Sequence, residues 1–244
     1  MNKENISQVQ RQLAHMRATD PTARAKRLYN LVYHPDWLAM ALERVLHNTG
    51  SQTPGVDGVT RRQCKDEAFT CAFLGDIASA LKHRTYTPQP CRRVDIPKPH
   101  KPTQQRPFGI PVIADRTVQM AVKMLLEPLY EGVFVPFSYG FRPGRSTHQA
   151  LGRTRHFLNH ASGRWHWILE GDIAACFERV HHAILLKLLK KRVQDERLLG
   201  LIHACLTAGV MEDGRFQRTD HGTPQGGVCS PLLMHVYLHE CDAW

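Results

Sequence analysis

The chain has 244 residues, 42% hydrophobic and 22% charged, which is enough to bury a real core. Its formal charge of +10 marks a polyanionic partner, nucleic acid before an anionic membrane. No apolar run reaches the roughly 18 residues of a membrane span, and no apolar signal core follows Met1. The seven scattered cysteines hold no Cys-x-x-Cys pair, so they point to free thiols in the cytoplasm rather than a zinc ribbon or disulfide framework.

Residues 1–22 are polar and read as a frayed or loosely helical extension. Ala23 to Asn48 is helical in pattern. Leu28, Leu31 and Val32 form one stripe, Pro35 restarts the chain, and Trp37, Leu38, Ala41, Leu42, Val45 and Leu46 form a second. Gly55-Val-Asp-Gly58 is a turn in which Asp57 bonds its own loop. A third helix is expected from about Arg61 to Leu81, with Phe69, Phe73, Leu74, Ile77 and Leu81 inward.

Residues 92–111 predict two strands, Arg92–Pro97 and Arg106–Pro111, joined by a polar, proline-broken connection. From Lys82 to Arg116 there are eight Lys/Arg against two acids, a local charge of +6. Charges crowded on a short arm stiffened by prolines suit gripping phosphates, and Arg92, Arg93, Lys98, Lys101 and Arg106 are its cations. A solvated face is the plainer reading.

Asp115 is expected to cap a helix with Val118, Ala121, Val122, Leu125 and Leu126 on its apolar face, and Ser146 to cap another reaching about His160. Arg142 and Arg145 precede that cap, with a phosphate-holding and a structural role equally open.

Trp165, Trp167, Ile168 and Leu169 read as a short, mostly buried strand ending near Gly171 and Asp172. A carboxylate at the tip of a buried strand is costly unless a cation meets it, and Asp172 is placed to hold a divalent metal, to cap the following helix or to pair with an arginine. Further on come a helix at 196–207, an Asp213-Gly214 hairpin, and Gly222-Thr-Pro-Gln-Gly-Gly-Val-Cys-Ser-Pro231, where Ser230 is expected to cap a final helix.

Seven stretches in order carry a resemblance. They are Gly55-Val-Asp-Gly58, Arg93-Val-Asp-Ile-Pro-Lys98, Arg106-Pro-Phe-Gly-Ile-Pro111, Asp115-Arg-x-Val-Gln119, Tyr139-Gly-Phe-Arg-Pro-Gly-Arg-Ser146, Gly171-Asp-Ile-x-x-Cys-Phe177 and Gly222-Thr-Pro-Gln-Gly-Gly-x-x-Ser-Pro-Leu232. Together they resemble the reverse transcriptases and maturases encoded by group II introns, over about residues 24–244. The resemblance implies an α+β fold, the fingers and partial palm of a right-hand polymerase, helix-rich with a small antiparallel sheet. It divides the chain into an extension at 1–22, fingers at 23–160 and partial palm at 161–244.

It also implies roles. Asp172 and the Ile173 carbonyl would be ligands of catalytic Mg2+, and Phe177 a sugar gate that rejects ribonucleotides. Lys98 and Arg106 would meet the triphosphate of the incoming dNTP, and Gln225 would lie beside that nucleotide and the template base. Gly226 and Gly227 would let backbone approach nucleic acid. The implied partners are an RNA template, intron RNA, a DNA primer and dNTP, with a homodimer compatible and no membrane. The intact protein would act in intron splicing and mobility. The motif style favours the intron group over relatives serving CRISPR or diversity-generating systems.

The sequence departs from the family pattern. The segment from Lys98 to Arg106 is slightly long, and Glu178-Arg-Val-His181 replaces the commoner Asp-Asn-Ile-Asp. No Asp-Asp dipeptide occurs, so two of three expected carboxylates are missing. The expectation is a fragment that does not polymerise alone. A non-catalytic RNA-binding maturase remnant and a split polymerase subunit stay open as alternatives.

Overall fold

Everything packs around one helix. In the computed structural model, which describes residues 3–20, 22–98, 101–160, 167–224 and 226–243, helix α5 (Ile113–Tyr130) is buried on nearly every side. Val118, Ala121, Val122, Leu125 and Leu126 lie in the core, as their spacing predicts. α1 (Lys3–Thr19) and α3 (Pro35–His47) pack along it, and Trp37 Nε1 donates to the Ala121 carbonyl at 3.0 Å. Pro35 starts α3, and Trp37, Leu38, Ala41, Leu42 and Val45 make its buried stripe. Beyond the single-turn segment α2 (Tyr29–Val32) and α3, α4 (Glu67–His83) begins at Asp66, whose carboxylate accepts from the amides of Ala68 and Phe69. Ile77 and Leu81 are its fully buried residues, while Phe69, Phe73 and Leu74 are half-buried.

The extension is not frayed. α1 buries Ile6, sets Val9, Leu13 and Met16 against the core, and Gln10 donates to the Met124 carbonyl at 2.9 Å. One apolar residue per turn on an otherwise polar helix is a weak signal in the sequence, but it is enough to dock a stripe.

The two halves of the chain are joined early. β1 (Ala25–Lys26) pairs in parallel with β4 (Val193–Gln194), and the Asp195 carboxylate accepts from the Tyr29 amide at 2.9 Å while capping α8 (Glu196–Leu206). β2 (Cys91–Lys98) and β3 (Lys101–Ile110) form the predicted arm. Its strands reach further than expected, because the 98–105 connection is mostly strand. Prolines are tolerated there because β3 is an edge strand, where a missing N–H breaks no second ladder. β5 (Val210–Glu212) and β6 (Arg215–Gln217) make the Asp213-Gly214 hairpin. β5 joins β2 in parallel, so the sheet is mixed, in order β3-β2-β5-β6, rather than antiparallel.

α6 (Thr147–His160) opens with a capping box: the Gln149 amide donates to Ser146 Oγ and the Ser146 amide to Gln149 Oε1. α7 (His182–Lys190) and α9 (Ser230–Asp242) close the core.

Two caps differ from expectation. α5 starts two residues before Asp115, which is buried inside the helix instead of capping it. Ser230 is the first helical residue, and its hydroxyl turns back to the Pro224 carbonyl at 2.9 Å.

The expected buried strand does not form. Trp165 lies outside the described residues. From Trp167 to Asp172 the chain has no regular structure, with Trp167 92% and Leu169 99% exposed. A strand needs a ladder partner, and none of the described residues supplies one to this segment.

Candidate nucleotide and nucleic-acid site

A clamped loop stands at the centre of the candidate site. The Gly222 amide donates to the Val180 carbonyl and the Thr223 amide to the Phe177 carbonyl, each at 2.8 Å. The ring of buried His182 donates from Nε2 to the Gly222 carbonyl at 2.6 Å, and burial lowers its pKa, which favours the neutral ring. Gly222 has φ +85°, and a Cβ there would lie 2.8 Å from the Glu178 carbonyl oxygen. On the other side Gly226, at φ +110°, abuts β3: a Cβ there would come within 2.6 Å of the Phe108 ring. From below, Gln119 of α5 accepts from the Val228 amide at 2.9 Å. Gln225 lies outside the described residues, but its neighbours on both sides are fixed. The structure therefore brings together the turn carrying Phe177, the Gly222–Gly227 loop and the base of the arm.

Phe177 is half-buried at the edge of the core. Asp172 and Ile173 are exposed. Burial raises the Cys176 thiol pKa, and the neighbouring Asp172 and Glu178 charges add to the rise. A divalent ion held by oxygen ligands needs several carboxylates or carbonyls converging on one point. Among the described residues no three His, Cys, Asp or Glu side chains gather in that way. Asp172 by itself does not fit a two-metal centre.

The arm carries less available charge than its sequence suggests. Arg106 is exposed on β3 opposite Ile96, and Lys98 pairs with Lys101 at the tip, where both side chains lie outside the described set. Arg93 lies 3.2 Å from Glu212 and 3.5 Å from Asp95, acids that offset its charge. Arg92 Nε donates to the Pro54 carbonyl at 3.0 Å. Arg116 is buried and ties together the carbonyls of Pro111, Gly50 and Thr53.

Of the two roles open for Arg142, its contacts carry the structural one rather than the phosphate contact. It is 7% exposed and donates to the Glu131 carboxylate and to the carbonyls of Glu131, Val135 and Ser138. Those bonds occupy all five guanidinium N–H groups. Arg145 remains exposed, over the Tyr139 ring.

Residues 96–244, more than half of the chain, match the family model described as "Reverse transcriptase (RNA-dependent DNA polymerase)". The chain belongs to the reverse transcriptase family. It is 41% identical over 240 residues to Protein YkfC of Escherichia coli, covering 98% of this chain and 62% of that protein. It is 38% identical over 216 residues to Group II intron-encoded protein LtrA of Lactococcus lactis, covering 88% of this chain and 34% of that one. The reverse transcriptase chain thus spans about a third to three-fifths of these relatives' lengths. In fold it is similar to a chain of the "Partial Cas6-RT-Cas1--Cas2 complex", with TM-score 0.59, 20% identity, and coverage of 88% of this chain and 34% of that one.

Sequence reasoning gave Asp115 only a capping role, and none to Arg116 or Gln119, in holding this candidate site in shape. Asp115 accepts from the Tyr86 hydroxyl at 2.6 Å and from the Gln89 amide at 2.9 Å. Burial pushes its pKa up to about 6 despite those two donors. Within one motif, Asp115 anchors the entry to the arm, Arg116 the loop before it, and Gln119 the Gly222–Gly227 loop. The signal was present as Asp-Arg-x-x-Gln spacing on one buried helix, where polar residues must find partners.

Proposed function

We propose that the chain is the fingers and part of the palm of an RNA-directed DNA polymerase of group II intron type. In this form it grips an RNA template and DNA primer without joining nucleotides. The observation that carries the reading is the clamp: the Phe177 turn, the loop around Gln225 and the base of the arm bearing Arg106 are locked into one unit. In this reading Lys98 and Arg106 meet the triphosphate of a dNTP, Phe177 gates its sugar, and Gln225 with Gly226 and Gly227 borders the template base. Arg92, Lys101 and Arg145 face the nucleic-acid backbone, with a smaller share for Arg92 because its Nε is already used.

Asp172, with the Ile173 carbonyl, contributes one carboxylate toward a magnesium site that further carboxylates must complete. The intact protein, in this proposal, also binds its intron RNA and serves splicing and mobility in the cytoplasm. The isolated, exposed Asp172 favours a second reading, a chain that binds RNA and performs no chemistry of its own.

The test is binding of a primed RNA template followed by fluorescence anisotropy over a range of salt. The wild-type chain should bind with a steep salt dependence, and Arg106→Ala should lower the slope of log K against log salt by about one. Added dNTP should slow dissociation of the wild-type complex under the polymerase reading and leave it unchanged under the RNA-binding reading. Absence of salt-dependent binding overturns both.

A further inference from the structure

Behind the clamped loop lies a cavity of about 170 Å³. Cys91, Arg93 and Pro107 of the arm form one wall, Leu206 of α8 another, and His221 and Thr223 a third. Pro107, Phe108 and Gly109 of β3 border the cavity, and Arg106 does not. The lining thus leaves out the arm cation given to the nucleotide.

One polar group in its lining is unusual. Thr223 is 4% exposed, and its hydroxyl has no hydrogen-bond partner among the described residues. Arg93 Nε, also buried, is already paired with Glu212 at 3.2 Å and Asp95 at 3.5 Å. A buried hydroxyl left without a partner costs about 1–3 kcal/mol, so Thr223 marks a place for a polar atom.

The space and its charge define the ligand. A cavity of about 150 Å³ holds a benzene ring. The rest of the wall is mainly carbon and sulfur, with Cys205 and Phe108 among its residues. A carboxylate ligand is disfavoured, because Glu212 and Asp95 already offset Arg93 and Glu178 also lines the space.

We infer that this cavity is a binding site for a neutral, single-ring aromatic compound carrying one carbonyl or hydroxyl oxygen, which Thr223 Oγ would meet. The oxygen would bond to the hydroxyl that the fold leaves unpaired, and the ring would fill the apolar remainder. A ligand there touches the arm, α8 and the loop together, so it would stiffen their mutual arrangement. The inference rests on the cavity and stands apart from the polymerase reading.

The experiment uses the full chain with benzamide as probe and benzoate as charged control. Saturation-transfer NMR gives binding, and thermal denaturation gives stabilisation. Benzamide should bind in the millimolar range and raise the melting temperature, while benzoate should bind at least several-fold more weakly. Thr223→Val keeps the shape, removes the hydroxyl and should weaken benzamide roughly fivefold. Cys91→Leu fills the space and should abolish binding; if that variant does not fold, Thr223→Val still decides. No benzamide binding at 10 mM, about the weakest level worth calling a site, would overturn the inference. So would binding that Thr223→Val leaves unchanged, or equal binding of benzoate.

Discussion

The amide of Thr223 donates to the carbonyl of Phe177 at 2.8 Å, across 46 positions of sequence. That bond, with Gly222 to Val180 beside it, sets the Gly222–Gly227 loop against the turn that bears the proposed sugar gate. The loop's position therefore depends on these backbone bonds together with the side chains of His182 and Gln119.

Gly222→Ala tests that dependence. At φ +85° an alanine is strained, and its Cβ would meet backbone of Glu178, which cannot swing aside. A loss of about 3 kcal/mol in urea denaturation is expected. Gly50→Ala, which meets nothing within 4 Å, should stay within about 0.5 kcal/mol of wild type.

Arg142 and Arg145 separate structure from binding. Arg142→Ala leaves Glu131 and three carbonyls without their donor and should cost about 3 kcal/mol of stability. Arg145→Ala should be nearly neutral in stability and weaken RNA binding, with a shallower salt slope. Equilibrium unfolding and anisotropy titration of both variants check the assignment.

Asp115 gives the chain a pH dependence. Its folded pKa, about 6, lies above the ordinary 3.8. Stability from this group is fully present below about pH 4 and falls as pH rises through 6, by about 3 kcal/mol in total. Tyr86→Phe removes a donor to the charged form, so it should cost about 2 kcal/mol at pH 8 and less at pH 5. Urea midpoints at the two pH values read the difference.

The exposed Trp167-Ile168-Leu169 segment should behave as surface. Ile168→Ser with Leu169→Ser should change stability by less than about 0.5 kcal/mol and reduce binding of a hydrophobic dye. A large destabilisation would place those side chains in a core.

These outcomes also mark what the sequence could convey. The helix stripes of α3 and α5, the arm, the Asp213-Gly214 hairpin and the Ser146 cap were legible because each is a local pattern with a local cause. Asp57 was too: its carboxylate accepts from the Val59 amide at 3.0 Å, within its own turn. The 167–172 segment misled because β-propensity describes a half-buried pleated surface, and the partner that would create that surface is not among the described residues. Arg116 and Arg93 misled, and Arg142 stayed undecided, for a different reason. A charge count cannot tell a solvated guanidinium from one bonded to carbonyls or balanced by acids, and that depends on long-range packing. The cavity behind Thr223 had no sequence signal at all, since five separate stretches of the chain wall it.

The central proposal is that this chain grips template and primer, and that Asp172, which joins no cluster of metal-ligating side chains among the described residues, does not support polymerisation by itself. Primer extension tests it most directly, with the isolated chain, a primed RNA template, dNTPs and magnesium, alongside anisotropy on the same template. The account predicts salt-dependent binding and no extended product above background, for wild type and Asp172→Ala alike. Robust extension that Asp172→Ala abolishes would contradict it.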